Sequence, residues 1–158
     1  MTTAQLPAES LAIATIAARA AQEKLATNIA VLDVREPLSI CDIFVIASAD
    51  TERQVDAIVE EIEFQMKEQS VPHAKREGVR ESRWSLLDYE TVVVHVMRTA
   101  EREFYGLDRL YMDCPIVAID GVDPYEREAT WADEVDIRSV DSIEEIPLVG
   151  TDPSEGEI

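Results

Sequence analysis

Two short apolar runs constrain the fold of this chain more than any other feature. Residues 29–34 and residues 43–48 consist almost entirely of aliphatic side chains, with one phenylalanine and two polar residues among them. Runs of about six such residues are too short for typical helices and are characteristic of buried strands. The sequence therefore predicts a sheet with buried strands, and the remaining segments have to cover it.

Two segments with helical periodicity are predicted to pack on that sheet. Residues 9–26 carry an alanine-rich stripe, and alanine combines high helix propensity with a side chain small enough for a sheet to approach closely. Residues 52–69 follow Thr51, which forms a capping-box pattern with Gln54, and they end before Pro72. The apolar face of this second helix consists of Val55, Ile58, Val59, Ile62 and Met66.

Further strands and one more helix are predicted in the second half of the chain. A short strand is expected near residues 73–76, and residues 83–88 and 91–97 are predicted to pair across a short turn. Thr99 is predicted to cap a last helix, which carries Arg102, Phe104, Tyr105, Leu107 and Leu110. Helices interspersed with strands of both kinds predict the α/β class, with a mixed sheet flanked by helices.

Charge limits the partners that this chain can bind. The chain has 14 Lys and Arg residues against 33 Asp and Glu residues, which gives a formal net charge of −19. Binding to nucleic acid or to an anionic membrane requires a basic face, so neither is expected. A basic protein partner is favoured, because opposite electrostatic fields steer association.

The acidic residues are concentrated at the C-terminal end. Residues 122–158 contain 12 acidic and 2 basic residues, together with three prolines and a series of aliphatic residues. We therefore predict an α/β domain over residues 1–121 and an acidic tail over residues 122–158. Acidic and hydrophobic residues in alternation are typical of a disordered segment. A short interaction motif, or a strand lying against the domain, stays open as an alternative.

The sequence offers no recognisable catalytic motif. It has no glycine-rich phosphate loop, no dinucleotide-binding fingerprint and no nucleophile elbow. Neither His73 nor His95 has a second histidine or a cysteine at metal-binding spacing. Cys41 and Cys114 are expected to be free thiols in a reducing compartment. We predict no catalytic, cofactor or metal site, and with neither a membrane span nor an N-terminal targeting pattern we expect a cytoplasmic protein.

One cluster in the sequence has the composition of a protein interface. Residues 73–89 mix basic and acidic side chains with Trp84 and Tyr89, and they fall in predicted loops and strand ends. Trp, Tyr and Arg anchor protein interfaces because each buries a large area at modest entropic cost. The alternative is that Trp84 belongs to the core while the charged residues are solvated.

Six motifs in this order resemble a known family. They are 42–49 (Asp-Ile-Phe-Val-Ile-Ala-Ser-Ala), 52–55 (Glu-Arg-Gln-Val), Glu77-Gly78, 84–89 (Trp-Ser-Leu-Leu-Asp-Tyr), 92–96 (Val-Val-Val-His-Val) and 102–110 (Arg-Glu-Phe-Tyr-Gly-Leu-Asp-Arg-Leu). Each motif alone is weak, but their order and spacing are specific. Over residues 9–117 the chain resembles the ribosomal silencing factor family, also called Iojap-like.

The resemblance implies a regulator of translation rather than an enzyme. Members of the family dock on the fourteenth protein of the large ribosomal subunit and sterically prevent the small subunit from joining. The resemblance also implies a nucleotidyltransferase-like topology, without that activity, and homodimers. Nucleotidyltransferases need a Gly-Ser turn and an Asp-x-Asp strand, whereas this chain has Ala47-Ser48-Ala49-Asp50 and no such strand. A large-subunit assembly factor and a nucleotidyltransferase-fold enzyme are the alternatives.

The family motifs, carried over residue by residue, imply a set of partner-binding side chains. Trp84 and Tyr105 would be apolar anchors, and Glu77 and Asp88 would meet lysine or arginine residues of the ribosomal protein. His95 would either contact the partner or orient the strand pair internally, and the sequence leaves both roles open. The complete predicted set is Glu77, Trp84, Asp88, Tyr89, His95, Arg102 and Tyr105.

Overall fold

A mixed five-stranded sheet forms the centre of the fold in the computed structural model, which describes residues 5–72, 74–78 and 83–127. Its strand order is β1-β2-β5-β4-β3. The elements are α1 (Ala8–Glu23), β1 (Thr27–Asp33), β2 (Ile43–Ala49), α2 (Glu52–Glu68), β3 (Lys75–Gly78), β4 (Trp84–Asp88), β5 (Val92–Arg98), α3 (Thr99–Tyr105) and α4 (Leu107–Leu110). The predicted α/β class with a mixed sheet is confirmed.

Strands β2 and β5 pair in parallel at the centre of the sheet. The connection between them runs through α2, which covers one face, and through β3 and β4, which extend the sheet beyond β5. The pairs β1–β2, β5–β4 and β4–β3 are antiparallel. The two apolar runs of the sequence thus become β1 and the central strand β2, as their composition predicts.

Helices α1 and α2 bury one face of the sheet, which we call the helix-covered face. The alanines of α1 that face the sheet are almost fully buried, so this helix lies close to the strands. The predicted apolar face of α2 is buried along its whole length. Thr51 caps α2 by accepting a hydrogen bond from the Gln54 backbone N–H at 3.1 Å. The Gln54 side chain does not complete a capping box but donates instead to the Leu25 carbonyl at 3.3 Å.

The opposite face of the sheet is covered over β1, β2 and part of β5, where Met97 and His95 are 0% and 5% exposed. A second core cluster there joins residues of these strands to Cys114 and Tyr125, with Leu107 and Tyr111 packed against it. Residues 115–117 also pair with the outer edge of β1, since the Val117 N–H donates to the Val31 carbonyl at 2.8 Å. The free edge of β1 is therefore protected. On the far half of this face the α3 ring of Tyr105 contacts Trp84, while Leu86 and Asp88 stay half-buried.

The predicted last helix is divided into two. Gly106 has a φ of 61° in the left-handed region, which ends α3 and starts α4 in a new direction. Glycine adopts this conformation without the steric cost that a Cβ would add. Thr99 is also not the cap: Arg98 occupies that position, and the Thr99 hydroxyl donates to Asp50 Oδ1 at 2.9 Å.

The described chain continues past the predicted domain end at residue 121. Tyr125 is buried, and its hydroxyl donates to Asp108 Oδ2 at 2.8 Å. Residues 128–158, most of the predicted acidic tail, lie outside the described residues, as does His73. The division at residue 121 and the nucleotidyltransferase-like topology therefore stay predictions. Among the described helices, none is long and apolar enough to cross a membrane.

Candidate docking surface on the open face of the sheet

Strand β4 is buried on one side only. Ser85 and Leu87 point toward the helix-covered face and are 2% and 0% exposed, whereas Trp84, Leu86 and Asp88 are half-buried. Successive side chains of a strand alternate between the two faces of a sheet. The half-buried residues therefore lie together on the side opposite α1 and α2, which we call the open face.

The strand register brings predicted site residues together on the open face. Glu77 of β3 lies opposite Leu86 of β4, and Leu86 lies opposite His95 of β5. Directly opposite residues in a sheet project to the same side. Glu77, Trp84, Asp88 and His95 consequently share this face, as the sequence leads us to expect for a common surface.

Six rings run across the open face in a continuous aromatic row. Trp84 lies at the middle, with ring centroids 5.1 Å from Tyr105 and 6.1 Å from His95. Aromatic pairs prefer tilted and edge-to-face arrangements at such distances. The complete row, in spatial order, is Phe104, Tyr105, Trp84, His95, Phe44 and Tyr111.

His95 accepts a hydrogen bond within this row. The indole Nε1–H of Trp84 donates to His95 Nδ1 at 3.2 Å. Burial lowers the pKa of His95 from its ordinary value of 6.5 to about 4, so the ring is neutral at neutral pH. Because Nδ1 accepts, the proton of the neutral ring resides on Nε2. His95 Nε2 is buried without a hydrogen-bond partner among the described residues, which costs about 1–3 kcal/mol for such a group.

Two carboxylates lie at the edge of the open face toward β3. Glu77 is exposed and lies 3.8 Å from Lys75 between Oε1 and Nζ. Asp88 is half-buried, and its Oδ1 accepts a hydrogen bond from the Glu90 backbone N–H at 2.8 Å, which stabilises the turn between β4 and β5. The aromatic row is thus bordered by acidic groups on this side.

Arg102 lies inside the molecule rather than on the open face. Its guanidinium donates to both carboxylate oxygens of Asp108, at 2.8 and 2.7 Å, and to the Ser48 hydroxyl at 3.0 Å. Burial raises the pKa of Asp108, but hydrogen bonds and charge from Arg102 outweigh this effect and hold the pKa below its ordinary value. Arg102 therefore joins α3, α4 and β2, and at 6% exposure it is not available as a surface contact.

Tyr89 lies on the helix-covered face, opposite to the other predicted site residues. It is 8% exposed and belongs to the core cluster beneath α1 and α2. Burial raises the pKa of its hydroxyl to about 12. The structure does not place Tyr89 on a common surface with Trp84, because the two are five positions apart along the chain and the sheet lies between them.

The geometry offers no assembled site for metal or phosphate chemistry within the described residues. Groups of three or more His, Cys, Asp or Glu side chains that could hold a metal ion are not found there. Ser48, in the turn compared above with a nucleotidyltransferase motif, is 2% exposed and bonds to Arg102 and Thr27. Its hydroxyl is therefore committed to internal contacts.

Comparison with known proteins agrees with the family that the motifs resemble. The sequence model of the family described as "Ribosomal silencing factor during starvation" matches residues 7–144.

The chain belongs to the ribosomal silencing factor family.

Similar proteins occur in several bacteria and in plants. The chain is 39% identical over 105 residues to ribosomal silencing factor RsfS of Bacillus subtilis, covering 66% of this chain and 89% of that one. It is 35% identical over 104 residues to the chloroplast protein Iojap of maize, covering 66% of this chain and 45% of that one. The Bacillus subtilis relative is named for silencing rather than for a catalysed reaction, which supports a ribosome-associated silencing role for this chain.

Solved structures share the fold. A crystal structure of a protein from Chromobacterium violaceum has a TM-score of 0.62 at 30% identity, covering 65% of this chain and 86% of that one. A crystal structure of a protein from Bacillus halodurans has a TM-score of 0.60 at 31% identity, covering 69% of this chain and 99% of that one. The α/β fold described above is therefore the fold of these relatives.

Sequence reasoning missed several residues of the open face in this silencing factor chain. Leu86 lies between Trp84 and Asp88 on the same side of β4, so strand alternation alone would have identified it. Phe44 and Tyr111 complete the aromatic row from β2 and from the segment after α4. No local pattern connects these two residues with Trp84, since only the strand order brings them together.

Proposed function

We propose that this chain represses translation by binding the large ribosomal subunit through its open face and blocking the approach of the small subunit. The proposed contact is a basic ribosomal protein, the fourteenth of the large subunit, as the family resemblance implies. The place of action would be the cytoplasm, where ribosomal subunits join. A homodimer stays a prediction of the resemblance.

The one-sided burial of β4 is the observation that carries this proposal. Trp84 and Leu86 are half-buried on the face opposite α1 and α2, and the aromatic row continues from Trp84 in both directions. Interfaces are enriched in aromatic residues, and their binding energy is concentrated in a few such anchors. The open face has this composition, whereas the helix-covered face is already filled.

Charge supports a basic partner. The net charge of −19 attracts a basic surface as a whole, and Glu77 and Asp88 place carboxylates at the border of the apolar centre. Complementary charges at the rim of an interface raise the association rate and select against wrong partners. A ribosomal protein rich in lysine and arginine would satisfy these groups.

The size of the domain is sufficient for steric exclusion. A compact domain of about 120 residues has a radius of gyration of about 14 Å. A body of that size, held on the joining face of one subunit, would overlap the volume that the other subunit occupies. No chemical step is needed for this mechanism.

A substitution on the open face, compared with a matched control substitution on α2, tests the proposal. Leu86→Arg places a bulky cation at the centre of the open face, while Phe64→Arg makes a similar change at a residue of α2 that is 55% exposed. We expect Leu86→Arg to weaken binding to purified large subunits by about tenfold or more, as for loss of an interface anchor. Phe64→Arg should bind like the unaltered chain. Sedimentation of the chain with large subunits measures the binding.

Adding small subunits to the same samples tests whether the chain blocks subunit joining. We expect the unaltered chain and Phe64→Arg to reduce the fraction of joined particles, and Leu86→Arg to leave that fraction high. Equal joining at saturating concentrations of the unaltered chain would rule out steric blocking. Binding only to precursor particles would instead select the assembly-factor alternative.

A further inference from the structure

The Trp84–His95 hydrogen bond joins a buried side chain to a half-buried one on the open face. Resting on the proposed function, we infer that His95 is a positioning residue of the docking surface, whose Nδ1 holds the Trp84 indole in the orientation that meets the ribosomal partner. His95 itself is 5% exposed and does not reach the surface, whereas Trp84 is half-buried. The histidine therefore acts through the tryptophan rather than by touching the partner.

The surroundings of His95 explain why an acceptor is needed at this position. The ring lies beside Phe44, with centroids 4.7 Å apart, and opposite Ile46 and Leu86 in the neighbouring strands. None of these side chains can accept a hydrogen bond. Trp84 Nε1–H lies 3.2 Å from His95 Nδ1, and this bond is the polar contact that fixes the indole against the sheet.

Packing alone does not account for a histidine here. A neutral histidine brings a buried Nε2–H that lacks a partner among the described residues. A leucine removes that unsatisfied Nε2–H, but it leaves the Trp84 indole N–H without its acceptor, because only one partner of the hydrogen bond is replaced. His95→Leu therefore exchanges one unsatisfied donor for another. A merely structural role predicts that affinity follows stability, whereas a positioning role predicts a loss of affinity at similar stability.

Preorganisation connects the orientation of the indole with affinity. An anchor that is already held in its bound orientation loses less conformational freedom on binding than one that is free to rotate. The Tyr105 ring, 5.1 Å from Trp84 between centroids, packs against the indole, whose N–H donates to His95. Without the His95 acceptor, the indole would have to be ordered by the partner.

The test compares affinity and stability in the full-length chain. We expect His95→Leu to unfold at a denaturant concentration close to that of the unaltered chain, and yet to bind large subunits about fivefold to tenfold more weakly, as for loss of one hydrogen bond. His95→Asn supplies an acceptor oxygen close to the position of Nδ1. This variant should be less stable than His95→Leu, but it should bind more tightly.

A double substitution links the effect to the indole. Trp84→Phe retains an aromatic ring but removes the N–H donor, so adding His95→Leu to it should cause no further loss of affinity. Independent losses in the two single variants and their sum in the double variant would overturn the inference, as would unchanged affinity of His95→Leu. If Leu86→Arg weakens binding while His95→Leu does not, the docking surface stands and only the positioning role is lost. If neither substitution weakens binding, the proposed function fails as well.

Discussion

The two faces of the same sheet are built in different ways. On β5, Val92, Val94 and Val96 are 0% exposed and pack beneath α1 and α2. Their neighbours Val93 and His95 point to the open face, which is lined by aromatic rings, two of them from the short helix α3. Alternate residues of one strand thus pack into the core on one side and line the proposed docking surface on the other.

This contrast shows how a small domain separates its two tasks. The helix-covered face is aliphatic and close-packed, because small alanines and branched residues let helices lie near the strands. The open face tolerates an unsatisfied buried nitrogen on His95 and half-buried rings. Substitutions on the first face should change mainly stability, and those on the second mainly binding.

Loss of the Arg102 charge is expected to have the largest effect on stability. Arg102→Met leaves the buried Asp108 carboxylate without its cation, and breaking a buried pair in this way costs about 3–5 kcal/mol. Arg53→Met, at an exposed position of α2, is the matched control and should change stability by less than about 0.5 kcal/mol. Chemical unfolding measures both. Equal stability of the two variants would show that the Arg102–Asp108 ion pair does not stabilise the fold.

Truncation of the α2 core is expected to be nearly as damaging. Ile58 is 0% exposed, and Ile58→Ala leaves a cavity beneath the helix that costs about 2–5 kcal/mol in the free energy of unfolding. Phe64→Ala on the same helix removes an exposed ring and should cost less than about 0.5 kcal/mol. Folded molecules of both variants should still bind large subunits. Loss of binding by folded Ile58→Ala would contradict the separation of the two faces.

The pH dependence of stability offers a smaller but specific effect. The pKa of His95 falls from 6.5 to about 4 on folding, so between these values the unfolded chain holds a proton that the folded chain lacks. Stability should therefore decrease as pH falls through this window, by about 1.4 kcal/mol for each pH unit.

His95→Leu isolates that effect. Between pH 7 and pH 5 the unaltered chain should lose about 2 kcal/mol more stability than this variant, because about 1.5 of these 2 pH units lie below the unfolded pKa of 6.5. Urea unfolding at the two pH values measures the difference. Parallel losses in both proteins would mean that His95 is not desolvated as its position indicates.

Strand alternation carried more information about the site than the motifs did. Trp84 and Asp88 are four residues apart and share a face, whereas Tyr89 is five residues from Trp84 and lies on the other side. That parity is visible in the sequence and separates Tyr89 from the open face. The partners of Arg102 are not visible in this way, because Asp108 lies beyond the break at Gly106 and Ser48 belongs to another strand.

The sequence by itself determined the elements of this protein. The apolar runs, the helical stripes and the position of Pro72 predicted helices and strands to within a few residues, because each element depends mainly on neighbours along the chain. Only the tertiary structure decided which side chains meet. The order β1-β2-β5-β4-β3 brings Phe44, His95 and Trp84 into one row from three separate strands. Such contacts arise from long-range pairing, which local periodicity does not encode.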